Sequence, residues 1–268
     1  MPLDGQKVIL TGGSGGMGAL IATNLLAAKA DLVVVDRVAP SGPARFIKGD
    51  LSTIDGISEV GHQIASEWPD ILINLAGAQY FGPFEQQPAD HVRMTYMVNL
   101  LAPVLLSQAV VPGMKQRQLG HIVNIGSILG SINYPYFVTY SSAKAGLHGL
   151  SQGLRRELDD SGIDITHIAP RAVRTGFNSE AVMRFAAITK MNMDQPEAVA
   201  RRIVDAILKR KKNVYIGLPE SFFVRLNAIA PGLVDGGICA GFSRARNAFL
   251  KNEREEAVPY QKNEAIGH

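Results

Sequence analysis

With 268 residues, 46% of them apolar, the chain is long enough to bury the core of one α/β domain and short for two. Its 27 Lys and Arg against 24 Asp and Glu leave a formal charge of +3, too small and too dispersed for an electrostatic grip on nucleic acid. The single cysteine, Cys239, excludes an internal disulfide framework and fits a reducing compartment.

The opening MPLDGQKVILTGG carries no apolar stretch behind a basic leader, so no signal peptide is expected. No segment offers about 20 consecutive apolar residues for a membrane span, and the nearest, 222–242, is interrupted by Arg225, Pro231 and Asp235. A soluble cytoplasmic protein is the expectation. In chain order, KVIL reads as a buried strand, TGGSGGMG as a glycine turn, ALIATNLLAAKA as a helix and DLVVVD as a second strand ending in an acid. The alternation continues with strand RFIKGD, helix TIDGISEVGHQIASEW, strand DILINLAG, a helical region over 88–116 and strand HIVNIGS. A helix over 139–160, strand DITHIAP, helix PEAVARRIVDAILKRKK and strand NVYIGL follow. Seven strand signals separated by helices or longer loops predict a three-layer α/β fold, a doubly wound parallel sheet with helices on both faces. No linker or composition break interrupts it, so 1–243 is expected to be one domain. Within it, 219–243 is an apolar C-terminal extension. Residues 244–268 read as a polar, partly disordered tail.

Gly12, Ser14, Gly16, Met17 and Gly18 lie in a turn between the first strand and the first helix. There, residues without Cβ let the backbone approach a diphosphate, and the helix N-terminus favours its charge. Asp36 closes the second strand where a carboxylate accepts hydrogen bonds from a ribose hydroxyl pair, and it would repel a 2′-phosphate, favouring NAD. Arg37 beside it keeps NADP open, because a guanidinium pairs with such a phosphate. Further on, Tyr140 and Lys144 stand four residues apart on a helical pattern, one above the other on one face. An ammonium there is expected to draw the phenol pKa down from about 10, making Tyr140 a candidate acid or base. Ser127 ends a buried strand facing the same place. Tyr and Lys at this spacing also occur in ordinary helices, so the pair gains its meaning from the other motifs. His121, His148 and His167 are scattered and show no metal-ligand spacing, so no metal is expected.

Together these residues resemble the short-chain dehydrogenase/reductase family in its single-domain, Rossmann-like form, in order and over nearly the whole chain to about residue 218. The opening T-G-x-x-x-G-x-G motif is met by Thr11, Gly12, Gly16 and Gly18. The acid placed by the family near the adenine matches Asp50, followed by Leu51, and the N-N-A-G motif appears as Asn74-Leu75-Ala76-Gly77. The family tetrad maps onto Asn99, Ser127, Tyr140 and Lys144. The resemblance implies that Tyr140 exchanges a proton with a substrate oxygen while hydride passes to or from nicotinamide. Ser127 would fix that oxygen, Lys144 would also bond the nicotinamide ribose, and Asn99 would support a water path. The P-G-x-V-x-T segment departs from the pattern at Arg171, where glycine is usual, and it leaves Val173 and Thr175 to hold the carboxamide.

Tyr134, Tyr136, Phe137, Phe177, Met183, Phe185, Met191 and Met193 are expected to wall a pocket for a hydrophobic small molecule, or else to form core or subunit contacts. The segment 219–243 would form a substrate lid, a membrane-surface helix or a subunit contact. A homodimer or homotetramer is implied by the resemblance. The expected activity is NAD-dependent interconversion of a secondary alcohol and a ketone. An NADPH-dependent ketone or 3-oxoacyl reductase stands as the alternative, and a dinucleotide sensor without turnover as the alternative of another class.

Overall fold

The structure is a computed structural model describing residues 3–257. Seven strands form one parallel sheet: β1 (Lys7–Thr11), β2 (Asp31–Asp36), β3 (Arg45–Lys48), β4 (Ile71–Asn74), β5 (Gly120–Ile125), β6 (Ile163–Pro170) and β7 (Asn213–Ile216). Their spatial order is β3-β2-β1-β4-β5-β6-β7. The chain therefore winds outward one way from β1, then returns to β4 and winds the other way. The crevice above the carboxyl ends of β1 and β4 is where such sheets bind ligands.

The strands are apolar on both faces because helices cover both. Val8, Leu10, Leu32, Val34, Ile71 and Ile73 point into the core beneath α1 (Gly16–Ala27) and α7 (Pro196–Leu208). The alternate residues Ile9, Val33, Val35 and Leu72 enter the opposite core, under α2 (Ile54–Ser66) and α4 (Ala102–Arg117). A period of two on each strand thus sorts its side chains between two cores. At the carboxyl ends of β4 and β5, the paired residues Asn74 and Asn124 are both buried. Asn74 Nδ2 donates to Asn124 Oδ1 at 2.8 Å, and Asn124 Nδ2 donates to Ser151 Oγ at 2.9 Å. Ser151 lies on α5 (Val138–Glu157), so polar bonds hold that helix to the sheet at a fixed height.

The helical region expected over 88–116 is compound. α3 (Ala89–Tyr96) runs into a π-helical turn, Met97–Leu101, and then into α4. The composite 89–117 has the length and mean hydropathy, 1.6, of a membrane span. Leu106, Val110 and Met114 are nevertheless fully buried in the second core, where they pack with strand residues such as Leu72 and Ile122.

The C-terminal expectation needs correction. Residue 243 is no boundary: α8 (Glu220–Ile229) is followed by α9 (Pro231–Ala257), which runs straight through the segment that reads as a polar tail. Its polar residues are interrupted at the spacing that matters, since Ala245 and Phe249 fall four apart on one face and are both 5% exposed. They enter a third cluster with Tyr136 and with Phe185 of α6 (Glu180–Ile188), and Phe81 and Phe242 pack against it. Phe249 meets Phe81 edge-on at 5.8 Å and Phe185 at 5.8 Å between ring centroids. Residues 258–268 of the expected tail lie outside the described residues. The cluster predicts that Phe249→Ala lowers stability in urea unfolding by about 3 kcal/mol, whereas a frayed tail would show no change.

Candidate active site

The turn after β1 is shaped by what a side chain would strike. Gly12 has φ +72°, and a Cβ there would stand 2.8 Å from the Ala76 backbone. At Gly18 a Cβ would overlap the Gly12 carbonyl, so the first turn of α1 packs directly on the loop. Thr11 Oγ1 accepts from Leu75 N and Ala76 N, both at 3.1 Å, joining this loop to the turn after β4. Asp36 closes the far side, taking Ser14 N on one carboxylate oxygen at 3.0 Å and Arg37 N on the other at 2.7 Å. Asp50 accepts from Ser52 N at 2.9 Å, and its bonds to Ser52, with the nearby Arg37 charge, hold its carboxyl below the usual range. The concave, Cβ-free backbone at a helix N-terminus fits a dinucleotide's diphosphate, and Asp36 fits its ribose.

Beyond this cradle the same cavity, about 1150 Å³ in volume, passes Ser127, Tyr140 and Lys144. All three are at least nine-tenths buried. Ser127 caps a 3₁₀ turn, Ile128–Gly130, accepting from Leu129 N at 3.1 Å, and it also shares a hydrogen bond with Tyr140. Lys144 Nζ donates to the Ile125 carbonyl at 2.9 Å and lies 5.8 Å from the centre of the Tyr140 ring. Contrary to the expectation that the ammonium draws the phenol down, burial pushes Tyr140 up to about 12, with the Ser127 bond acting the other way. Burial also pushes Lys144 down to about 8. Desolvation dominates both groups, each disfavouring its own charged form.

Two of the expected residues stand behind the cavity wall instead of in it. Asn74 is 2% exposed and its amide is turned to Asn124, away from the cavity lining. Asn99, fully buried in the π-helical turn, donates to the Ala78 carbonyl at 2.6 Å and to the Thr95 carbonyl at 2.8 Å. Its Oδ1 has no hydrogen-bond partner among the described residues and would stand 3.0 Å from a Cβ at Gly77. Such an orphan acceptor is what a bridging water would satisfy. The other expected dinucleotide contacts, Gly12, Ser14, Gly16, Met17, Gly18, Asp36, Arg37, Asp50, Leu51, Ala76, Gly77, Val173 and Thr175, all line the cavity.

The expected aromatic wall divides. Tyr134, Phe137, Phe177 and Met191 face the cavity, whereas Tyr136 and Phe185 belong to the third cluster. Phe223, Leu226, Val234 and Ile238 bring α8 and α9 against the cavity, so part of the segment 219–243 lines it. Arg171 keeps its charge out of the glycine cradle: it is bonded to Asp194 and to Glu220 of α8.

A family model described as short chain dehydrogenase matches residues 6–184. The chain belongs to the short-chain dehydrogenase family. Dehydrogenase/reductase SDR family member 7B of Mus musculus is 31% identical over 251 residues, covering 84% of this chain and 78% of the relative. A Sphingobium yanoikuyae short-chain dehydrogenase in complex with NADPH superposes with a TM-score of 0.72 at 27% identity, over 86% of this chain and 95% of that one. The bulky-bulky ketone specific alcohol dehydrogenase from Comamonas testosteroni gives 0.70 at 26% identity, over 86% and 94%. Like its family, this short-chain dehydrogenase is an NAD(P)-dependent oxidoreductase acting on CH–OH groups.

Several residues of this short-chain dehydrogenase's site escape sequence reading. Gln79 Nε2 donates to the Phe177 carbonyl at 3.0 Å and to Asn178 Oδ1 at 3.2 Å, across nearly a hundred residues. Asn178 Nδ2 in turn donates to the Val173 carbonyl at 2.7 Å, folding the loop so that Phe177 lies across from Tyr140, 6.2 Å between ring centroids. No local signal marks these partners, because only the fold makes them neighbours.

The buried amine fixes a pH dependence of stability. Its folded pKa of about 8 lies below the ordinary 10.5, so below pH 8 both states are protonated and the full cost of burying the charge is present. Between these two values the unfolded state binds more protons, and stability rises with pH. The Tyr140 phenol, shifted from 10 to about 12, acts oppositely but only above pH 10. Relative to Lys144→Met, the parent should gain about 2 to 3 kcal/mol of unfolding free energy between pH 8 and pH 10. A constant difference across that window would contradict the buried amine.

Proposed function

We propose that this short-chain dehydrogenase uses NAD to interconvert a hydrophobic secondary alcohol and its ketone, with Tyr140 as acid and base. The observation that carries the reading is the burial of Ser127, Tyr140 and Lys144 on one wall of the cavity that begins at the glycine cradle.

The bound nicotinamide would supply or accept the hydride. In the reductive direction, the Ser127 and Tyr140 hydroxyls donate to the ketone oxygen and hold its carbon toward the cradle side of the cavity. As negative charge develops on that oxygen, Tyr140 releases its proton to it. A phenol held near 12 gives up that proton only as the oxygen becomes basic. The Lys144 ammonium next to the ring then stabilises the phenolate, which is an interaction made mainly once charge has moved. Asn99 Oδ1 would hold a water between Lys144 and the solvent, restoring the proton.

Preference for NAD is supported by the Asp36 carboxylate facing the cavity at the end of β2, where a 2′-phosphate would meet like charge. Arg37 also lines the cavity and carries the second reading, an NADPH-dependent ketone or 3-oxoacyl reductase. A hydrophobic substrate is supported by Leu129, Ile132, Tyr134, Phe137, Phe177 and Leu226 around the catalytic wall. Two or more copies of the chain are expected in solution, as is common in the family.

Fluorescence titration should give tighter binding of NADH than of NADPH, and the reverse order would transfer the assignment to the second reading. In Tyr140→Phe, turnover of ketones by the parent's preferred dinucleotide should fall by about 100- to 10,000-fold while dinucleotide affinity is kept. Retention of parental turnover in that variant would remove Tyr140 from the proton step.

A further inference from the structure

Arg171 sits at the end of β6, where the chain turns into the loop that carries Val173 and Thr175. Every arm of its guanidinium is used. Nε and Nη2 grip the two oxygens of Asp194 at 3.0 and 2.7 Å, while Nη1 donates to Glu220 Oε2 at 2.9 Å and to the Leu218 carbonyl at 3.0 Å. The side chain is only 18% exposed, so this fork is partly shielded from water. Its aliphatic stem crosses Gly217, where φ is +126° and a Cβ would lie 2.7 Å from Arg171 Cδ.

The two carboxylates belong to different elements. Asp194 is stitched to the Val173 loop: its N–H donates to the Ala172 carbonyl at 2.9 Å, and its carbonyl accepts from Arg174 N at 3.0 Å. Glu220 stands in the first turn of α8, the lid helix, and its other oxygen accepts from Asn192 Nδ2 at 3.2 Å. Among the described residues, one further side-chain hydrogen bond ties α8 to the cavity wall, Asn227 Nδ2 to the Ser131 carbonyl at 2.9 Å. Val224 and Val234 are buried and Phe223, Leu226 and Ile238 face the cavity, while Phe222, Ile229 and Leu233 remain largely exposed. With two polar anchors, α8 is sensitive to the loss of either.

We propose that Arg171 is a positioning residue that fastens the substrate lid to the loop holding the nicotinamide end, so that lid closure and the catalytic wall share one geometry. A planar fork with five donors makes the four hydrogen bonds seen here, side-on to Asp194 and on to Glu220 and Leu218, whereas an ammonium has three donors and no such fork. The consequence for substrate binding rests on the oxidoreductase reading above. The clasp itself rests on the geometry alone.

The chain supplies its own probe. Cys239 is its single cysteine, exposed on α9 within the lid. A nitroxide on Cys239 of the full chain should show a new mobile component in Arg171→Ala and in Glu220→Ala, with no further increase in the double variant. Arg171→Lys should fall between parent and Arg171→Ala. Glu220→Ala keeps the Arg171–Asp194 pair and so guards against an unfolded Arg171 variant. With a ketone that the parent reduces, Glu220→Ala should raise KM about five- to tenfold and change kcat and dinucleotide affinity by less than about twofold. Spectra identical to the parent in both single variants, each folded by circular dichroism, would overturn the clasp. So would additive effects in the double variant. Altered spectra in a chain that reduces no ketone would uphold the clasp and count against the proposed alcohol–ketone reading instead.

Discussion

The site depends on an amine almost wholly withdrawn from water on the wall of the cavity. Lys144 is 4% exposed, and its ammonium donates to a single described protein acceptor, the carbonyl of Ile125 at the end of β5. A buried ammonium is costly, as its pKa near 8 expresses, and the Ile125 carbonyl offsets part of that cost. The Asn74, Asn124 and Ser151 chain of hydrogen bonds fixes α5 against β4 and β5, which sets the depth of both Tyr140 and Lys144. A destabilising charge is thus kept in place by polar contacts that face no ligand themselves.

Around that amine the cavity has two sides. On one is the glycine cradle, whose backbone at Gly12 and Gly18 passes so close to Ala76 and to its own loop that no side chain fits at those two positions. On the other are the loop 172–178, α8 and α9, carried on Gln79, Asn178, Arg171 and the aromatic cluster around Phe185. Phe177 is 43% exposed yet lies across from Tyr140, so the loop that approaches the glycine cradle also covers that phenol. Enzymes that exclude water during hydride and proton transfer need such a cover, since desolvation strengthens every electrostatic contact inside.

Much of this was legible in the chain because it is local. Alternating strands and helices, a glycine turn flanked by a strand and a helix, an acid closing β2, and Tyr140 four residues before Lys144 are all spacings that backbone geometry converts directly into position. What was not legible is long-range. Arg171 in place of a glycine reads as a disturbance until Asp194 and Glu220 are seen around it, 23 and 49 residues away. Residues after 243 read as polar because most are, yet one stripe of Ala245 and Phe249 decides that the helix continues. Resemblance set Asn74 among the dinucleotide contacts and Asn99 on a water path, and the fold buries both side chains behind the cavity lining. The phenol's pKa moved opposite to expectation, since a charge four residues away counts for less than the loss of water around the ring.

Hydride transfer at this wall can be read from the product itself. Aryl and cyclohexyl ketones incubated with NADH dideuterated at nicotinamide C4, then examined by mass spectrometry and proton NMR, report where the label goes. The account predicts a secondary alcohol with one deuterium on the carbinol carbon, of a single configuration, and with the new hydroxyl proton drawn from solvent. Alcohol formed without deuterium at that carbon, or as an equal mixture of configurations, would contradict it.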